Sequence, residues 1–225
     1  ARLKPAAPDF RIFWDNAYSI HHLYDDDQDV IPELLTECEK VGSEDMVYKF
    51  ISTSKVSFPG SGIAAMAASE ANLQDARRWM NYQTIGHDKL NQLRHVRFFK
   101  DMDGMHEHMK KHAAILRPKF ELVQKTLEEG LGGLEIGSWT KPKGGYFISF
   151  DSLEGCAKKI VTMAKEAGLV LTGAGATYPY GKDPYDCNIR IAPSFPTLEE
   201  LEKAAELFVI CVKLASAQKL LEEMK

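Results

Sequence analysis

Ser52-Thr53-Ser54-Lys55, entered from the apolar run at 46–51 and left through Phe58-Pro59-Gly60-Ser61-Gly62, decides how this chain folds. An apolar run that gives way to small polar residues and a proline-glycine turn reads as a strand running out into a loop. Upstream, Arg11-Ile12-Phe13-Trp14 is a second short apolar run, fitting a buried strand, and it passes directly into Asp15. An acid at a strand's carboxyl end projects into the crevice where open α/β sheets bind ligands. Tyr18 follows after the next turn, and one helix and one strand fit between Asp15 and Lys55. Downstream, Asn188-Ile189-Arg190-Ile191-Ala192-Pro193 reads as a further strand, carrying an arginine.

Working outward, residues 29–41 read as a helix capped by Asp29, with Pro32 in its first turn and Gly42 at its end. Residues 63–68 form a third strand. Strands alternating with helices argue for a buried, parallel or mixed sheet. Helices then follow at 73–83, 89–99 and 102–129, with Pro118 expected to kink or reset the last. The remainder reads as a smaller α+β unit: a strand at 144–150, a helix at 153–167 ending at Gly168, strands at 169–171 and 189–192, and an amphipathic helix at 198–224. The texture changes near 102–112, which divides the chain into domains at 1–105 and 106–225.

Composition narrows the function classes. The chain has 225 residues, 44% of them apolar, and a formal net charge of −4. That balance gives no electrostatic case for nucleic acid or an anionic membrane surface. No apolar run approaches the ~18 residues of a membrane span. Cys38, Cys156, Cys187 and Cys211 are scattered without a CxxC pair, as expected of reduced, cytoplasmic thiols. Residues 1–8 match neither a secretory signal nor a transit peptide.

The chemistry lies in the ordered set of Asp15, Tyr18, Ser52, Lys55 and Arg190. A lysine amine forms a Schiff base with a carbonyl cofactor, and an acid that keeps a pyridine nitrogen protonated makes that ring an electron sink. A phenol tunes the imine, and the Ser52 and Ser54 hydroxyls with the Gly60 and Gly62 amides suit a phosphate. Singly, each match has a plainer reading: a loop lysine, a turn aspartate, an arginine in a structural ion pair. Together, in chain order and in a matching α/β context, they point to pyridoxal phosphate.

These residues carry a family resemblance. FWDNAYSIHHL, STSKVSFPGSGIAAMAAS, GGYFISF, GAGATYPYGKDPYD and NIRIAPSFPT resemble the motifs of fold-type I pyridoxal-phosphate aminotransferases of class I/II. They are most similar to the bacterial aspartate aminotransferase group labelled alanine-glyoxylate-like. The resemblance runs from about Phe10 into the C-terminal helix. It implies an α/β fold: the C-terminal part of a large, cofactor-binding domain with a mixed sheet, followed by a small α+β domain. It implies that Asp15 pairs with the pyridine nitrogen, Tyr18 with the ring oxygen and Ser52 with the phosphate, that Lys55 forms the Schiff base, and that Arg190 binds the substrate carboxylate. Gly144 and Gly145 would line the substrate side. It further implies an amino acid and a 2-oxo acid as substrates, aspartate and 2-oxoglutarate first among them, and a homodimer. Other pyridoxal-phosphate chemistry (a β-lyase or decarboxylase) and a non-catalytic effector-binding domain are the alternatives.

Two departures from the family stand out. Gly62 occupies the place of the usual phosphate-binding arginine, and only fourteen residues precede Asp15. The chain is therefore expected to be the C-terminal part of a polypeptide about twice its length. Among weaker signals, His106, His108 and His112 read as a solvated helix face rather than a metal site, so no metal is expected. His21-His22 reads as loop packing, and Asp25-Asp26-Asp27 as a solvated acidic run.

Overall fold

The computed structural model describes residues 1–225. The chain divides into two compact units, Ala1–His21 with Gln28–Lys111, and His22–Asp27 with His112–Lys225. The architecture is mixed α/β.

The first unit is built on a three-stranded sheet in the order β1-β2-β3. β1 (Ile12–Asp15) lies parallel to β2 (Val47–Ser52), with Asp15 opposite Phe50. β3 (Ala64–Ala68) pairs antiparallel to β2. The short helix α1 (Leu34–Glu39) supplies the crossover that two parallel strands require. α1 is shorter than the 29–41 expected. Pro32 disfavours helical geometry in the residue before it, so the helix starts beyond it, where the Glu33 side chain accepts from the Thr36 amide. At the other end Gly42 takes φ +69°, a conformation that favours glycine. β1 forms as expected; within residues 1–225 it pairs on one side only, and Phe13 is 72% exposed there.

α2 (Glu70–Gln83) is capped by Ser69, and α3 (Lys89–Phe99) by Asp88. α4 (Met102–Leu131) runs without a break through Pro118, so the helix is not reset there, and the division between units falls within it. Proline costs a helix one hydrogen bond and crowds one carbonyl. On both sides of Pro118, however, α4 is anchored by buried Leu116, Phe120, Val123 and Leu127. Val56, Phe99 and Met109 make a small apolar cluster in the first unit, joined by Ile20 and Met105.

The second unit carries an antiparallel sheet in the order β4-β5-β6: β4 (Gly137–Trp139), β5 (Ile148–Ser152) and β6 (Asn188–Ile191). α5 (Ala157–Glu166) and α6 (Leu198–Glu223) complete it, the latter opened by a Thr197–Glu200 capping box. Ile148, Phe150, Ile160, Ile189, Phe208 and Val212 form the heart of its core. Phe150 stacks on Trp139 and meets Phe208 edge-on.

Four sequence expectations change here. β4 was not anticipated. Gly137 makes it possible, because a Cβ there would stand 2.6 Å from the Phe150 ring. β5 begins at Ile148 rather than 144, after Gly145 at φ +84°. α5 begins at Ala157 rather than 153, after Gly155 at φ +77°. No strand forms at 169–171: the Leu169 amide caps α5 through the Ala164 carbonyl, and Val170 is 78% exposed. No helix is long and apolar enough to cross a membrane.

Glu33 gives the first unit a dependence on acid. Its carboxylate takes a hydrogen bond from Lys49 on β2 and the amide bond from Thr36, which bring its pKa from an ordinary 4.5 to about 2. A depressed carboxyl stabilises the fold fully above its unfolded value, and that contribution fades as pH falls from 4.5 towards 2. A carboxyl titration by NMR is expected to place Glu33 near 2. The Glu33→Gln variant is expected to lose this part of the acid dependence in denaturant melts.

Candidate active site

Parallel pairing decides where the candidate groups stand in the first unit. Asp15 ends β1 opposite Phe50, and Ser52 ends β2 two residues later, so both lie at the same, carboxyl end of the sheet. The Asn16 amide prolongs the pairing through the Phe50 carbonyl at 2.8 Å. The Asp15 carboxylate is exposed and accepts from the Ala17 amide at 3.2 Å, which turns the chain towards Tyr18. Tyr18 packs edge-on against His21, ring centroids 5.6 Å apart, and His21 Nε2 donates to the Lys55 carbonyl at 3.2 Å. The loop after β1 is thereby tied to the loop after β2.

Lys55 is exposed on a tight turn closed by the Val56 and Ser57 amides, which donate to the Thr53 carbonyl at 2.9 and 2.8 Å. Ser52 Oγ and Ser54 Oγ lie 3.2 Å apart. Val56, next to the exposed lysine, is buried with Phe99 and Met109. Such alternation holds the backbone down and leaves the lysine facing outward. Gly62 abuts the turn from the other side: a Cβ there would stand 3.2 Å from the Ser54 nitrogen and from Thr53 Oγ1. The close approach gives a physical reason for glycine at a position where the family usually has arginine.

Arg190 belongs to the second unit. It lies on β6, paired with Ser149 on β5, and is half-buried. Its guanidinium covers the Phe147 ring at 4.6 Å from the centroid and reaches Thr172 Oγ1 at 3.5 Å. Its Nε is buried without a hydrogen-bond partner, and no carboxylate pairs with it. An arginine desolvated on one side, with an uncommitted edge, is prepared for an incoming anion.

The motif GAGATYPYGKDPYD acts on β6 through Asp183. The Asp183 carboxylate accepts from the amides of Tyr185 at 2.9 Å and of Cys187 and Asn188 at 2.8 Å. Burial raises its pKa, but these donors outweigh that effect and leave it below its ordinary value. The Asn188 side chain donates in turn to Ser149 Oγ and Asp151, and accepts from Thr177. Arg190 is therefore carried on a strand whose start is held at several points.

Three histidines near Lys55 escaped sequence reasoning. His21 is buried and bonded to Lys55 rather than merely packed. His108 is half-buried, its Nε2 2.7 Å from the Val56 carbonyl, which corrects the reading of a solvated helix face. His95, buried on α3, meets Ser57 and Thr53. The available signal was the spacing Asn91, His95, Phe99, a stripe four residues apart with polar members pointing inward.

A family model described as aspartate amino-transferase matches residues 1–224. The chain belongs to the aspartate aminotransferase family. Among its curated members, the aspartate aminotransferase of Corynebacterium glutamicum is 43% identical over 220 residues, covering 96% of this chain and 50% of that protein. A crystal structure of an aspartate transaminase from Corynebacterium glutamicum superposes with a TM-score of 0.91 at 42% identity, covering 96% of this chain and 51% of that one. LysN, an α-aminoadipate aminotransferase of Thermus thermophilus, was crystallised with N-(5'-phosphopyridoxyl)-L-leucine. It shares the fold, at a TM-score of 0.73 and 20% identity, over 92% of this chain and 51% of its own. The chain spans about half the length of the curated family members it matches.

Asp183 offers a test of how this family motif supports β6. Asp183→Ala is expected to speed hydrogen exchange of the Cys187 and Asn188 amides by roughly 10- to 100-fold, the factor carried by one or two charge-assisted bonds. Exchange within α6 is expected to stay unchanged.

Proposed function

We propose that the complete protein is a pyridoxal-phosphate-dependent aminotransferase that passes an amino group between an amino acid and a 2-oxo acid, aspartate and 2-oxoglutarate being the preferred pair. The observation that carries this reading is the parallel β1–β2 pairing, with Asp15 at the same sheet end as Ser52 and the Lys55 turn. The donor set fits the cofactor. Lys55 is a primary amine for its aldehyde, Asp15 a carboxylate for its pyridine nitrogen, Tyr18 a phenol for its ring oxygen, and Ser52 a hydroxyl for its phosphate. With Gly62 in the arginine's place, phosphate recognition by this chain falls to neutral donors, Ser54 among them.

When bound, pyridoxal phosphate supplies an electron sink that makes the substrate Cα–H acidic. Lys55 Nζ would hold the cofactor through its aldehyde. With the cofactor bound, Lys55 Nζ would be the group that takes the Cα proton and returns it elsewhere, as general base and general acid in turn. The Asp15 carboxylate would keep a proton on the ring nitrogen, and the Tyr18 hydroxyl would donate to the ring oxygen. Arg190 binds the substrate α-carboxylate through its uncommitted edge, with Thr172 and the Phe147 face limiting its swing.

In this reading residues 1–105 belong to the cofactor domain and 106–225 form the small domain carrying the carboxylate arginine. Exposed Trp79, Tyr82, Ile85 and Leu90, along the end of α2 and the start of α3, support a homodimer. Four free cysteines accord with a cytoplasmic location.

Lys55→Ala is expected to abolish the visible absorbance that added pyridoxal phosphate acquires on the wild-type protein, and to lower transamination by at least roughly 10²–10⁴-fold. Retention of both would overturn the assignment. Arg190→Lys is expected to keep that absorbance while raising the KM for aspartate roughly 10- to 100-fold, since one ammonium cannot replace a bidentate guanidinium. Steady-state kinetics with aspartate varied would check it.

A further inference from the structure

Lys55 sits on a turn whose hydroxyls and carbonyls converge on α3. His95 is 4% exposed, and its Nδ1 lies 2.8 Å from the Asn91 carbonyl. A carbonyl only accepts, so Nδ1 carries the proton and, in the neutral ring, Nε2 is an acceptor. That acceptor faces two hydroxyls of the lysine turn, Ser57 Oγ at 2.7 Å and Thr53 Oγ1 at 3.1 Å. Thr53 Oγ1 also receives the Ile63 amide at 2.9 Å, while the Thr53 amide donates to the Ile63 carbonyl at 2.9 Å. One helical turn earlier, Asn91 Nδ2 donates to the Ser61 and Gly62 carbonyls at 2.8 and 3.1 Å. α3 thus grips the turn before and after Lys55, and Gly62 leaves no slack between the two sides.

We propose that His95 is a positioning residue: through Ser57 and Thr53 it sets the backbone of the Lys55 turn, and so where and in which orientation the lysine amine is presented. His21 and His108 act on the same turn differently. Each meets a backbone carbonyl, of Lys55 and of Val56, and so holds the chain itself. His95 alone gathers both flanking side chains onto one atom. A hydroxyl that donates to a buried nitrogen loses its freedom to rotate, and its Cβ is fixed with it. The consequence for catalysis rests on Lys55 being the cofactor lysine. The consequence for the turn itself does not.

Two volume-preserving variants separate hydrogen bonding from packing. His95→Leu fills the space without an acceptor, and His95→Gln restores an oxygen near the Nε2 position. Hydrogen exchange in the intact protein, purified free of cofactor, is read at Val56, Ser57 and Ile63, with α6 as internal reference. His95→Leu is expected to speed exchange there roughly 5- to 30-fold, as the loss of one or two net hydrogen bonds predicts. His95→Gln is expected to recover most of the protection. Ser57→Ala, which leaves His95 in place, is expected to match His95→Leu, and it decides the matter if the leucine variant does not fold.

With pyridoxal phosphate bound, the pH midpoint of the visible spectrum is expected to move in His95→Leu and Ser57→Ala and to return in His95→Gln. Wild-type exchange in both His95→Leu and Ser57→Ala would overturn the proposal, as would equal disturbance in the leucine and glutamine variants. If no variant and no wild-type protein gains a visible band, the cofactor role of Lys55 fails, while the exchange result still decides whether His95 sets the turn.

Discussion

The parallel register of β1 on β2 is the constraint on which the candidate site depends. Pairing Asp15 with Phe50 brings two segments distant in sequence to one end of the sheet. The candidate groups of the first unit then lie within a few residues of that end: the acid and phenol after β1, the serines and lysine after β2. A slip of one residue would turn alternate side chains to the opposite face and separate the acid from the lysine. The register is held by the ladder itself, by the Asn16 amide beyond it, and by β3 on the far side of β2.

The lysine turn shows how a mobile chemical group is placed on a rigid base. Lys55 itself is exposed, but the residues around it are tied down by three kinds of contact. Val56 enters an apolar cluster, the Thr53 carbonyl closes the turn, and histidines from three separate segments meet its polar atoms. Ordering a loop costs backbone and side-chain entropy. Here that cost is offset by bonds made by the residues on either side of the lysine. The second unit repeats the strategy by other means. Asp183 and Asn188 fasten the start of β6, while the Arg190 guanidinium two residues on rests on a ring and keeps its Nε uncommitted.

Residue patterns carried a large part of this. The order acid, phenol, serine-flanked lysine and strand arginine is a property of the chain itself. So are the helices with clean caps: α3 at 89–99 and α6 from Leu198 are legible because Asp88 and Thr197 are strong initiators and the apolar spacing is regular. Less legible were features set by partners distant in sequence. β4 exists because Phe150 lies over Gly137. The 169–171 segment stays irregular because no ladder partner meets it. Pro118 is carried through α4 by the buried residues on either side.

By itself, then, the sequence determined the mixed α/β class, the approximate elements and the order of the candidate groups along the chain, because periodicity, caps and side-chain chemistry are local. Only the tertiary structure decided that β1 pairs parallel to β2 with Asp15 opposite Phe50, that Gly62 is crowded against the lysine turn, and that His21, His95 and His108 converge on it. Those facts depend on which backbone passes within a few ångströms of which, and that is settled by long-range pairing and packing.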